Sequence, residues 1–327
     1  MLLARILMLI PLALSTMADL SLVDSDADGL TDKLEQELLV KFAPRIMMSS
    51  SECDGLPAKF RPGSLKPQLL TKDGTIYGQV FRTAPRGGSG SFIEIHYYHL
   101  WNRDCGRIGH ALDVEHVSAL LQAATTEESA TAWKAEYWYA AAHEDTACDA
   151  SHAIRSSFMN AEQQGPTVWI SAGKHASFLD REACHGGCGG DNCGVMRPLV
   201  ISELINLGEQ EAPMNGASWI RWPGWPMAEK MQTDFPEPVL AKLDASQLPA
   251  IIPINESQAP FKTAILVGGS AAGAQMTAYR KTGTGILTTT DAVGTSMEKS
   301  TSTTGGSLKR AARAVWRALG GSDKQNK

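Results

Sequence analysis

The stretch Ser91–Ser118, SFIEIHYYHLWNRDCGRIGHALDVEHVS, constrains the fold most. Its first half alternates with period two. Ile93, Ile95 and Tyr97 fall on one face, and Glu94, His96 and Tyr98 on the other, as in a strand. The run Asp113-Val114-Glu115-His116-Val117 places Asp113 and Glu115 on one side and Val114 and His116 on the other. Two carboxylates on one face repel each other and resist desolvation unless a cation or a basic group lies between them. His110 has the wrong parity for the same strand, so it belongs to the loop leading in, from where its imidazole can swing onto the carboxylate face. His110, Asp113 and Glu115 are therefore a candidate site for a divalent cation with mixed nitrogen and oxygen ligands. The alternative is a polar, solvated sheet face carrying a salt-bridged pair.

Further runs of β character are Arg45–Met48, Thr75–Arg82, Trp133–Ala141 and Thr167–Ala172, separated by Gly, Pro, Asn and Asp turns. Trp133–Ala141 is ambiguous: its alanines allow a helix, but Trp133, Tyr137 and Tyr139 suit a strand better. Many short strands predict a mostly β chain, a β-sandwich with long loops over residues 42–250. His143 and His175 each follow such a run, where rim residues often carry function, although either also reads as a lone surface histidine.

The first residues, MLLARILMLIPLALSTMA, combine one Arg, an apolar run and small residues. They predict a signal peptide over residues 1–18 and a secreted or extracytoplasmic protein; the alternative is a retained N-terminal helix. Six cysteines in an exported chain predict disulfides. The cluster Cys184, Cys188 and Cys193 lacks the usual CxxC spacing of zinc sites, so a disulfide-stapled, Gly-rich loop is expected there, not a zinc site with His185.

Residues 19–41 hold the most specific motif. Asp24, Asp26, Asp28, Leu30 (by its carbonyl), Asp32 and Glu35 supply oxygens, with Gly29 where the loop must turn sharply. This is the ligand spacing of a Ca2+ loop, and Leu30, Leu34 and Leu38 then recur at helical spacing until Pro44. With no second loop following, it resembles the single calcium loops of dockerins and thrombospondin-type-three repeats. A structural Ca2+ is expected.

The ordered set KFAPRIMM, IEIHYYHLWN, GHALDVEHV, AAHED and VWISAGKHASF resembles the vacuolar-protein-sorting-associated protein sixty-two family. More distantly it is similar to the necrosis-inducing (Nep-like) toxins. The resemblance spans Phe42 to Leu243. The toxins imply a β-sandwich holding a divalent cation at one end, which falls by position on His110, Asp113 and Glu115, with Asn102 or Asp104 as a further oxygen ligand. Val114 and Leu112 depart from that pattern, which weakens any shared membrane target.

Trp219, Trp222 and Trp225 recur every third residue in a Pro-rich stretch. They read as a loop packed across a sandwich edge, or as an exposed aromatic ledge for a glycan or lipid headgroup. Residues 251–306 are a low-complexity segment, and the GGSAAG run at Gly268 lacks the frame of a nucleotide site. Residues 307–327 form a basic amphipathic helix and tail. Leu308, Ala312, Val315, Trp316 and Leu319 on one face suit either an anionic membrane surface or docking on the chain's own domain.

A net charge of −5 gives no signal for nucleic acid. The nucleophile elbow, the His-Glu-x-x-His helix and the P-loop are all missing from the sequence. The first reading is a secreted calcium-binding β-sandwich with a second divalent cation (Ca2+ or Mg2+) that binds an unknown glycan or lipid headgroup. Others are a metal-dependent hydrolase, with catalytic candidates Glu115, His143 and His175, and a membrane-active toxin.

Overall fold

The computed structural model describes residues 22–83, 90–106, 109–124, 129–144, 146, 149–185, 190–225, 227–246 and 251–254. The leader, Cys148, Cys188, most of the low-complexity segment and the C-terminal helix Leu308–Leu319 lie outside the described residues.

The chain opens on a loop and helix α1 (Asp32–Lys41), whose N-cap Thr31 accepts a hydrogen bond from the Leu34 amide. The strands that follow are β1 (Arg45–Ser49), β2 (Ala58–Phe60), β3 (Leu69–Lys72), β4 (Ile76–Arg82), β5 (Ser91–Arg103), β6 (Ala111–Ala123), β7 (Lys134–Ala140) and β8 (His152–Arg155). A single turn α2 (Ser156–Met159) leads to β9 (Thr167–Ile170) and β10 (Ser177–Phe178). Then come α3 (Arg181–His185), β11 (Met196–Pro198), β12 (Leu204–Asn206), α4 (Glu237–Ala245) and β13 (Ile251–Pro253). A seven-stranded sheet runs β12-β4-β5-β6-β7-β8-β13 and a four-stranded one β10-β9-β1-β11. The fold is mostly β and sandwich-like, with long loops, as the alternating runs predict. Trp133–Ala141 resolves as the strand β7, and β13 extends the sheet beyond residue 250.

The core between the sheets takes Ile46 and Met48 from β1, Ile93, Ile95, Tyr97 and Trp101 from β5, Val117 and Leu121 from β6, and Val168 and Ile170 from β9. Leu34, Leu38 and Leu39 of α1 enter the same cluster. Gly78 of β4 makes this possible, because a Cβ there would collide with the Leu39 side chain. Tyr97 donates to the Leu39 carbonyl over 2.9 Å, locking helix to sheet.

The other face of the large sheet is buried too. Trp219 and Trp225 stack on each other at 5.6 Å and meet Phe60 at a tilt, at 5.5 and 5.2 Å, in a cluster with Tyr98, Leu100 and Val114. Of the two readings for the Trp run, the packed loop is the one observed. Phe235 and α4 cover Leu120, Tyr137 and Tyr139. Ten consecutive residues of β5, Phe92 to Trp101, are buried. Glu94, His96 and His116 therefore lie in the interior, and so do Asp113 and Glu115, against the solvated-face alternative for that pair.

Candidate functional site

The long pair β5–β6 ends in a cavity of about 520 Å³. Asp113 sits opposite Trp101, and Glu115 opposite His99. Leu112, at φ +60°, is an unpaired residue within β6, between the Ala111 and Asp113 pairings. His110 is off the strand and exposed, with Nε2 3.9 Å from Asp104 Oδ2. His110, Asp113 and Glu115 line this one cavity, but their ligand atoms do not converge as a set within 4.8 Å. The facing wall brings His143, Glu144, Lys174, Trp225 and Lys230.

Asp113 Oδ2 accepts from His175 Nδ1 at 2.8 Å, and His175 Nε2 lies 3.4 Å from Glu52 Oε1. Burial works against charging His175, but Asp113 and Glu52 outweigh it and lift the imidazole to about 9. The ring lies flat on Trp101, centroids 3.8 Å apart. Glu52 also accepts from the Gly173 amide, beside the Cys53–Cys105 disulfide. His175 Nδ1 is engaged by Asp113, Nε2 lies against Glu52 without a hydrogen bond, and the raised pKa suits an acid better than a base among the catalytic roles expected of it.

Glu115 differs. Its Oε2 is buried without a hydrogen-bond partner among the described residues. Burial pushes its carboxyl well above the usual range. Asp113 and Glu144 add to this, and Lys230 opposes it. Lys230 Nζ is 3.5 Å from Glu144. Trp225, which lines the same cavity, also has its Nε1 buried without a partner among the described residues. His143 turns Nε2 to Asp191 at 2.8 and 2.9 Å, and Ser171 Oγ donates to the same carboxylate at 2.8 Å.

At the N-terminus, oxygens of Asp24, Asp26 and Asp28 come within 4.8 Å of one another. The loop is folded by its own carboxylates: the Gly29 amide donates to Asp24 at 3.0 Å and the Leu30 amide to Asp28 at 2.6 Å. Asp32 accepts from the Ser25 amide and hydroxyl, at 2.7 and 2.6 Å. Asp24 Oδ1, both oxygens of Asp26, Asp28 Oδ2 and Glu35 Oε1 are buried with no partner among the described residues. Burial first, then mutual repulsion, raises Asp26 to about 7 and Glu35 to about 9. Asp24, Asp26 and Asp28 thus form a group of acidic oxygens able to hold a cation, with Glu35 Oε1 a further unpaired oxygen. Asn206 Nδ2 donates to Glu35 Oε2 at 3.0 Å, tying the loop to β12.

Cys53 pairs with Cys105 and Cys184 with Cys193. The second pair closes the Gly-rich loop as a disulfide, as expected. Sequence reasoning missed Glu144 and Lys230, which line the cavity, and Glu52 and Asp191, which hold His175 and His143 from behind; Glu52, Asp191 and Lys230 come from loops that carry no periodic signal.

No protein-family model and no curated protein sequence matches the chain. Among solved structures the chain is similar to a triple mutant of NLPPya, with 17% identity over 68% of this chain and 91% of that one, at a TM-score of 0.36. It is similar to NLPPya in complex with mannosamine, with 17% identity, 66% and 90% coverage and a TM-score of 0.32. It is also similar to Necrosis and Ethylene inducing Protein 2 from the causal agent of cocoa's witches' broom disease, with 17% identity, 64% and 93% coverage and a TM-score of 0.30.

Proposed function

We propose that the protein is a secreted, calcium-stabilised β-sandwich that binds a hydroxyl-rich ligand, a glycan or a glycosylated lipid headgroup, in the cavity at the end of β5 and β6. One observation carries this reading: two residues that line the same cavity each hold a buried polar atom without a partner among the described residues, the acceptor Glu115 Oε2 and the donor Trp225 Nε1. Native interiors leave few such groups unpaired. A sugar hydroxyl both donates and accepts, so one ligand satisfies both walls. Asp113, Glu115 and Glu144 give the cavity the oxygen donors that suit Ca2+ or Mg2+, with His110 able to close from the rim. A cation held there would lower the cost of keeping Glu115 ionised and would coordinate ligand hydroxyls.

The N-terminal loop fits Ca2+ through Asp24, Asp26, Asp28, the Leu30 carbonyl and Glu35, with Asp32 reaching the ion through water. Its role is structural, since α1 belongs to the core. The two disulfides and the apolar leader support an extracytoplasmic compartment.

The test is calorimetric titration of neutral sugars, amino sugars and glycosylated lipid headgroups in calcium buffer, comparing wild type with Trp225→Phe. That change removes the indole donor and keeps an aromatic ring. At least one ligand is expected to bind, with affinity about tenfold weaker in the variant. Absence of binding across the panel, or equal affinity in the variant, overturns the reading. The hydrolase reading has one observation in its favour, the Asp191-oriented imidazole of His143 at the cavity wall. Mass spectrometry of the recovered ligand separates the two: an intact ligand supports a binding module, and cleavage abolished by His143→Ala supports hydrolysis.

A further inference from the structure

A second cluster of metal-ligating side chains lies on the opposite face of the large sheet from Asp113 and Glu115. His96 of β5 and His116 of β6 are diagonal neighbours, their rings stacked at 5.5 Å with 6° between planes. Over them lies Asp234, from the segment leading into α4. A nitrogen of each histidine and an oxygen of Asp234 fall within 4.8 Å of one another. His116 Nε2 is 3.0 Å from Asp234 Oδ2, and His96 Nδ1 is 3.8 Å from the same atom. These two distances bracket the ligand–ligand edge of about 3.4 Å that a tetrahedral zinc ion sets with bond lengths near 2.1 Å.

We propose that His96, His116 and Asp234 form a closed structural site for a zinc-class dication, distinct from the N-terminal loop and from the ligand cavity.

Four features support it. First, the donor set is two imidazole nitrogens and one carboxylate, which suits zinc and not calcium, an ion that takes six or more oxygens.

Second, the outer support of His96 matches what a zinc-bound histidine needs, while the buried Nδ1 of His116 has no partner among the described residues. His96 Nε2 meets Glu94 Oε2 at 3.1 Å, and Glu94 is itself held by the Asp234 amide at 3.0 Å and by the Thr233 hydroxyl. A carboxylate on the far nitrogen orients the ring and makes the near nitrogen a better ligand. Ser118 donates to Asp234 and fixes its rotamer.

Third, the fourth position has an occupant at hand. The Tyr98 hydroxyl is 3.1 Å from His96 Nδ1, and its proton has other acceptors in Gln79 Oε1 at 3.0 Å and the Lys230 carbonyl at 3.1 Å. The Nδ1 lone pair of His96 is then open to a metal.

Fourth, the charges close. Glu94, His96, His116 and Ser118 are all buried. Two carboxylates in such a place need two positive charges, and one dication held by neutral imidazoles supplies them. The consequence reaches the cavity, because Asp234 pins the segment carrying Lys230, whose ammonium lies beside Glu144.

The test uses the full mature protein in excess calcium, so that oxygen sites are filled before zinc is added. Equilibrium dialysis is expected to show one equivalent of zinc retained, and cobalt in its place is expected to give the intense visible bands of a tetrahedral site. His116→Gln and Asp234→Asn should each lose that equivalent, and Glu94→Gln should weaken zinc about 10- to 100-fold while keeping the stoichiometry. Circular dichroism and the calcium-dependent melting shift check that the variants fold. The cobalt spectrum of wild type needs no variant. No zinc uptake by wild type in calcium, a weak octahedral cobalt spectrum, or full retention of zinc in folded Asp234→Asn each overturns the site. Ligand titration in the cavity is read separately, so its failure and this one are distinguishable.

Discussion

His99 holds the hydroxyl of Ser177 at 2.7 Å, deep between the sheets. The pair has the look of a nucleophile and its base, and the third partner rules that out. Trp101 Nε1 donates to His99 Nδ1 at 2.8 Å, so the neutral ring carries its proton on Nε2 and gives it to Ser177. Burial holds this imidazole well below its usual range, so it stays neutral. Ser177→Ala is therefore expected to cost about 1–3 kcal/mol, from the stranded His99 donor. Wild type is expected to stay unlabelled by fluorophosphonates. Chemical denaturation and mass spectrometry check the two outcomes.

His152 extends the argument to pH. Its Nδ1 meets the Ala150 carbonyl at 3.0 Å, and its Nε2 accepts from the Leu179 amide at 3.1 Å. Burial lowers its pKa, as it does that of His99. A depressed folded value means stability that is complete above the unfolded value of 6.5 and lost as pH falls below it, because only the unfolded chain takes the proton. Each ring contributes up to about 1.4 kcal/mol per pH unit in that window. Urea midpoints between pH 7 and 5 should fall in wild type and fall less steeply in His152→Gln. An identical slope in the variant would show that His152 carries no share.

Removing the cation from the N-terminal loop has a definite expected result. The orphaned oxygens of Asp24, Asp26, Asp28 and Glu35 are buried against Leu30 and the base of α1, whose leucines belong to the main core. Chelation leaves those carboxylates facing one another, so the melting temperature should drop by several degrees and recover with calcium. Asp26→Ala with Asp28→Ala should melt lower in calcium and lose the calcium-dependent shift. A wild-type protein indifferent to chelator would refute the loop as a calcium site.

Much of this was legible in the sequence where the signal is local. The Asp24–Glu35 spacing and the alternation of Phe92–Trp101 depend only on neighbours along the chain. The parity of Asp113 and Glu115 is fixed in the same way, and so is the departure of His110 from it. What the sequence could not disclose is long-range. Alternation sets Glu94 and His96 on one strand face but does not say what covers it; Thr233 and Asp234 do, from a segment with no period to announce that role. The meeting of His96 with His116 depends on β5–β6 register, and Asp234 lies 118 residues from His116. Lys230, Asp191 and Glu52 reach the cavity region by the same route of tertiary packing.

The Cys53–Cys105 bridge ties the loop after β1 to the end of β5, across a sequence separation of 52. Loop-closure entropy for that length corresponds to about 4 kcal/mol. Glu52, next to the bridge, lies against His175, which holds Asp113 of the cavity lining, so the bridge acts on the cavity through two intermediate residues. Replacing both cysteines by serine should lower stability by roughly that amount and weaken cavity ligands, both measurable on one preparation. Lost stability with unchanged ligand affinity would show that the His175 brace holds without the bridge.

Glu115→Gln separates the electrostatic role of this residue from its packing. Burial, with Asp113 and Glu144 nearby, already disfavours its ionised form, so a neutral amide of the same shape costs little there. Folding should be almost unaffected, with a change below about 1 kcal/mol. A bound cation needs the carboxylate, because an amide oxygen carries no net charge to offset the ion's desolvation. The expected result is an unchanged urea midpoint, a cavity that no longer takes a dication, and a ligand affinity that no longer responds to calcium. If Glu115→Gln retains the calcium-dependent part of ligand binding, the cation is held elsewhere and Glu115 serves the ligand alone through its unpaired oxygen.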